Sequence, residues 1–170
     1  METKENRVME ILKQAIIMES RAKALYAKVA DQTPSEGAKK IFGLMAQEEQ
    51  MHIDFLMKQY AYYQKNQQFD LLETPSTAEN PQIADLILSD ALKTEISGAG
   101  FEAAAISAAI DMESKSVEAY MTRAKEAVDP NEKAFYLWLA NWERDHHKML
   151  ISLNKELTEK IWNDNQFWPF

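Results

Sequence analysis

Residues 46–52 read Ala46-Gln47-Glu48-Glu49-Gln50-Met51-His52, and residues 140–146 read Ala140-Asn141-Trp142-Glu143-Arg144-Asp145-His146. Each stretch holds a Glu-x-x-His pair inside an apolar face: Ala38, Phe42, Met45 and Leu56 flank the first, and Tyr136, Leu139, Leu150, Leu153 and Leu157 flank the second. Steps of three and four are the spacing of a helix face that packs in a bundle, so acids and imidazoles occupy positions where core residues belong. Residues i and i+3 share a helix face, so each pair offers one oxygen and one nitrogen to a common point.

Two more stripes carry a single acid each. Val8, Leu12, Ala15, Glu19, Ala22, Tyr26 and Val29 form one, and Ile106, Ala109, Glu113, Ser116 and Tyr120 form the other. Glu113, Tyr120, Glu143 and His146 follow Glu19, Tyr26, Glu49 and His52 at one interval, 113 − 19 = 146 − 52 = 94 residues. Met18-Glu19-Ser20 also returns as Met112-Glu113-Ser114. The chain therefore reads as two related helical hairpins. Asp31-Gln32-Thr33-Pro34-Ser35 and Val128-Asp129-Pro130-Asn131 supply their turns, because proline cannot sit in a helix interior. Pro34 lies halfway between Glu19 and Glu49, and Val128 halfway between Glu113 and Glu143. At 1.5 Å per residue each acid is about 20 Å from its bend, so the two acids of a hairpin come level.

The expected fold class is all-α, a four-helix bundle of two antiparallel hairpins joined by a long crossover. Residues 1–170 are read as one domain, with hairpin 1 over about 5–65, the crossover over about 66–100, hairpin 2 over about 101–160 and an aromatic tail over 161–170. Pro75, Pro81 and many polar residues mark the crossover; Ile83–Glu95 reads as a short helix within it, broken by Ser97-Gly98-Ala99-Gly100. The tail, ending Phe167-Trp168-Pro169-Phe170, is expected to dock on its own bundle.

Composition agrees, with only 4 glycines and 5 prolines in a chain rich in helix-forming residues. A net charge of −8 argues against a nucleic acid or an anionic membrane as partner. Neither an apolar leader nor an apolar run of the roughly 20 residues a bilayer requires is present, so a cytoplasmic protein is expected. No cysteine occurs, which removes disulfides, thiolate-bound zinc and iron–sulfur clusters. Any metal must be held by oxygen and nitrogen.

Taken singly, each glutamate would be read as a surface residue. As a set that reading fails, because four unpaired carboxylates buried at one depth would each cost several kcal/mol without compensating cations or protons. Glu19, Glu49, His52, Glu113, Glu143 and His146 together reproduce the ligand set of di-iron and di-manganese carboxylate bundles. Tyr26 and Tyr120 are either donors to those carboxylates or ordinary core aromatics, and spacing does not choose between them. Glu48 is placed to accept the ring N–H of His146 across the bundle, although a solvated glutamate is the simpler expectation. His147 falls outside the repeat and reads as a surface histidine.

From the first helix to Leu157 the sequence resembles the rubrerythrin-like branch of the ferritin-like superfamily, on the strength of its paired Glu-x-x-His motifs. The resemblance implies a ferritin-like bundle holding two iron ions, with Glu49 and Glu143 bridging, Glu19 and Glu113 terminal, and His52 and His146 one per metal. Two departures weigh against shuttling of iron between ligands and against built-in electron delivery. Rubrerythrin carries a further glutamate where this sequence has Ile110, and a cysteine-bound rubredoxin module that a chain without cysteine cannot form. The acid that precedes Glu-x-x-His in bacterioferritin-like proteins is matched by Glu48 in one half but by Trp142 in the other.

The implied activity is that of an oxidoreductase in which a diferrous centre gives two electrons to hydrogen peroxide or dioxygen, as in a response to oxidative stress. No catalytic residue is expected beyond the metal ligands. An external electron donor would restore the centre, and a homodimer is expected. The alternatives are a ferroxidase or iron-storage protein assembled as a cage, and a bundle merely stapled by its metals. Carboxylate and imidazole suit manganese as well as iron.

Overall fold

The computed structural model describes residues 4–71 and 100–164 of the chain. Four helices account for nearly all of them: α1 (Lys4–Gln32), α2 (Glu36–Asn66), α3 (Phe101–Glu126) and α4 (Pro130–Asp164). α1 packs along α2 and α3 along α4 as hairpins, and α1 also meets α3, giving the all-α four-helix bundle the stripes require. None of the described helices is long and apolar enough to cross a membrane. The helix expected over Ile83–Glu95 and residues 165–170 of the aromatic tail lie outside the described residues.

The turns are tighter than the sequence suggests. α1 continues through Asp31 and Gln32, leaving only Thr33, Pro34 and Ser35 between helices. Ser35 caps α2, its hydroxyl accepting from the Ala38 N–H at 3.1 Å, and the Thr33 hydroxyl donates to Glu102 at the start of α3 at 2.7 Å. Pro130, read as a turn residue, instead opens α4; at the first helical position its missing N–H would have found no partner anyway. The same helix runs on to Asp164, past the end expected near residue 160. Capping governs such boundaries, and the apolar period does not report it.

Two apolar clusters fill the core, one on each side of a polar layer. Tyr26, Val29, Phe42, Met45, Ile106 and Leu150 belong to the cluster beside the α1–α2 turn. Leu12, Leu56, Tyr120, Phe135, Tyr136 and Leu139 belong to the cluster beside the α3–α4 turn. Along every helix the polar core residues fall where one cluster gives way to the other, so each side of the layer is closed to water by packed side chains.

The chain leaving α2 is strapped to the second cluster. Gln67 takes a left-handed conformation at φ 56° and returns its N–H to Tyr63 O, ending the helix. Phe69 then buries its ring against Tyr63, Phe135 and Tyr136. The fully buried Gln59 side chain pairs with the backbone of Asp70, donating to its carbonyl at 3.0 Å and accepting its N–H at 3.1 Å. Gln59→Ala leaves both backbone groups unpaired and is expected to cost about 1–3 kcal/mol. Urea unfolding of the metal-free protein measures this, and an unchanged midpoint would contradict the strap.

Candidate metal centre

Each helix brings its polar positions to the layer between the clusters. Glu19 comes from α1, Glu49 and His52 from α2, Glu113 from α3, and Glu143 and His146 from α4; none is more than 2% exposed. Their ligand atoms form two groups, Glu19, Glu49, His52 and Glu143 in one and Glu49, Glu113, Glu143 and His146 in the other, with the atoms of each group within 4.8 Å of one another. Glu49 and Glu143 belong to both groups. The six side chains singled out by spacing thus meet at one depth.

In both histidines Nδ1 faces the carboxylates. His52 Nδ1 lies 3.2 Å from Glu19, 3.1 Å from Glu49 and 3.0 Å from Glu143. His146 Nδ1 lies 3.1 Å from Glu49 and 3.7 Å from both Glu113 and Glu143. His52 Nδ1 is hydrogen-bonded to Glu19 and Glu49, but Glu49 Oε1, Glu143 Oε1 and His146 Nδ1 are buried and lack a hydrogen-bond partner within the protein. Buried oxygens and a ring nitrogen left without a partner are what a pair of divalent cations needs, and oxygen with imidazole nitrogen is the donor set that iron and manganese accept. The four carboxylates and two neutral imidazoles of the two groups would also balance two such cations in charge, leaving the buried Glu48 beside His146 as one further negative charge.

Without cations the layer balances itself with protons. Burial, with the charges of Glu143 and Glu49 beside it, pushes the Glu19 carboxyl well above its usual range; burial and Glu143 do the same to Glu113. Burial alone would strip the imidazoles of their protons, but Glu143 and Glu49 hold His52 charged, and Glu113, Glu143, Glu48 and Glu49 hold His146 charged. Against the upward push of burial, the hydrogen bond to Glu113 and the His52 charge keep Glu143 well below the usual range, and His52 and His146 keep Glu49 down.

Both tyrosines act as donors, and they cross between the hairpins. Tyr26 of hairpin 1 donates to Glu113, and Tyr120 of hairpin 2 donates to Glu19. Glu48 corrects the sequence reading: it is buried rather than solvated, and it accepts from His146 Nε2 at 2.8 Å. His147 is half-buried and belongs to neither group. Ile110 packs against the apolar core. Spacing missed Trp138, whose ring lies 5.9 Å from that of His52, with Trp142 at 5.1 Å; the signal was that Trp138 and Trp142 stand where the repeat has Leu44 and Glu48.

A family model described as Rubrerythrin matches residues 10–154, a span that includes all six side chains of the site. No curated protein and no solved structure gave a match.

Because the raised groups hold protons that a metal must displace, uptake of divalent ions is expected to release protons and to tighten as pH rises. Calorimetric titration with Mn²⁺ in buffers of different ionisation heat measures both effects. A pH-independent affinity without proton release would contradict this electrostatic description.

Proposed function

The chain belongs to the rubrerythrin family, and on that premise we propose that it holds two iron ions on Glu19, Glu49, His52, Glu113, Glu143 and His146 and reduces hydrogen peroxide or dioxygen there. The observation that carries the reading is the pair of overlapping ligand groups with Glu49 and Glu143 in common, since shared carboxylates can hold two cations close together despite their repulsion. Glu19 and Glu113 then serve one metal each. Two ferrous ions bound there would supply the two electrons that, with two protons, take hydrogen peroxide to two molecules of water.

The protein's own part is to bind, orient and exclude water. Burial, with the charges of Glu113 and Glu49 nearby, raises Tyr26 far above the ordinary phenol range, and burial with Glu19 and Glu143 does the same for Tyr120. Both hydroxyls therefore keep their protons and remain donors, which fixes one oxygen of Glu113 and one of Glu19 and so orients both carboxylates. The apolar clusters on either side close the layer, so that charge within it is weakly screened. Nothing in this cysteine-free sequence can relay electrons through thiolates, and the proposal therefore includes an external donor. The acidic composition is in keeping with a cytoplasmic protein, and a homodimer is part of the same reading.

Iron-loaded protein with a reductant is expected to speed peroxide loss, with Glu49→Ala and Glu143→Ala slowing it by about 100-fold or more, beyond the cost of losing a mere supporting contact. Peroxide consumption that the variants match, or that free iron matches, would contradict the reading. Light scattering separates it from storage, since a cage would be many times the 19.6 kDa chain mass and a dimer about twice it.

A further inference from the structure

The two halves of the site repeat each other in their ligands but not in what stands behind the histidines. His146 Nε2 meets the buried carboxylate of Glu48 at 2.8 Å. His52 Nε2, equally buried, has no hydrogen-bond partner within the protein. The position that repeats Glu48 is Trp142, and its ring stands against the His52 ring at 5.1 Å and 87°, with Trp138 at 5.9 Å and 79°.

A carboxylate on the outer ring nitrogen does three things for a ligating imidazole. It places the remaining proton on Nε2, leaving the Nδ1 lone pair for the metal. It fixes the plane of the ring. Its negative charge also makes Nδ1 a stronger donor. His52 receives none of these from an indole, and its buried Nε2–H goes without an acceptor, a cost that persists when metal is bound.

Resting on the two-metal reading above, we infer that Glu48 makes the two positions unequal: the first divalent ion seats on His146, Glu113 and the shared Glu49 and Glu143, and the second is held more loosely on His52 and Glu19. Loading is then sequential, and a protein with one equivalent of metal carries it on the Glu48 side. Glu48 is a positioning residue that acts through His146 without touching the metal.

Titration of the metal-free protein with Co²⁺, followed by its visible bands and by calorimetry, is expected to show two steps whose dissociation constants differ by about 10–100-fold. Crystals grown with one equivalent should place the anomalous peak beside His146. Glu48→Gln, of the same shape but without the charge, should weaken the tighter step by about tenfold and leave the looser one alone, a selectivity that general destabilisation would not produce. Trp142→Glu should strengthen the looser step. Two equal steps, or a tighter step insensitive to Glu48→Gln, would overturn the inference while leaving a two-metal site standing. Failure to bind Co²⁺ at all would overturn the inference and the two-metal reading together.

Discussion

Like charge does not stay buried without compensation, and this bundle buries four carboxylates in a single layer of its core, with Glu48 beside them against His146. The design of the layer follows from meeting that constraint. Protons on Glu19, Glu113 and both imidazoles meet it in the metal-free protein, as the opposed shifts of the six groups describe. Two divalent cations meet it in the proposed state, with the charges of the four acids matched. In the proposed function the layer is thus an exchange site for protons and metal rather than a fixed ion-pair network. Glu49 and Glu143, common to both ligand groups, each keep one buried oxygen without a hydrogen-bond partner within the protein.

Geometry follows from the doubled hairpin. Each turn sets its two acids at one depth, and the apolar clusters above and below hold that depth in register. The tyrosines then join the halves, because each donates to the acid of the opposite hairpin. Tyr26 stacks on Phe42, and Tyr120 on Tyr136, which stands at the position repeating Phe42. Support for the acids is therefore symmetric where support for the histidines is not. Both aromatic pairs belong to the packed clusters, so the orientation of Glu19 and Glu113 draws on core packing and not on the local backbone.

Most of this was legible in the sequence because helix periodicity is a strong signal when a polar residue interrupts it. Glu19, Glu49, His52, Glu113, Glu143 and His146 were found by their place in apolar stripes, and the family that the paired motifs resembled is the family whose model matches the chain. Less was legible where three-dimensional neighbours decide. The burial of Glu48 depends on His146 reaching it from the facing helix, and a stripe on one helix does not say what faces it. Whether Tyr26 and Tyr120 donate hinged on which hairpin each hydroxyl reaches. The helix ends at Gln32 and Pro130 were set by how short a turn Thr33, Pro34 and Ser35 make before Ser35 caps the next helix, and by proline's tolerance of the first turn.

The central claim is that two metal ions sit side by side within this one layer, held by oxygen and nitrogen alone. X-ray absorption at the iron edge of the iron-loaded protein, together with its iron content, tests it most directly. The account predicts two irons per chain, a first shell of oxygen and nitrogen, and a second iron at about 3.5–4 Å, the separation usual for two-metal sites. One iron per chain, or iron without a neighbouring iron, would contradict it.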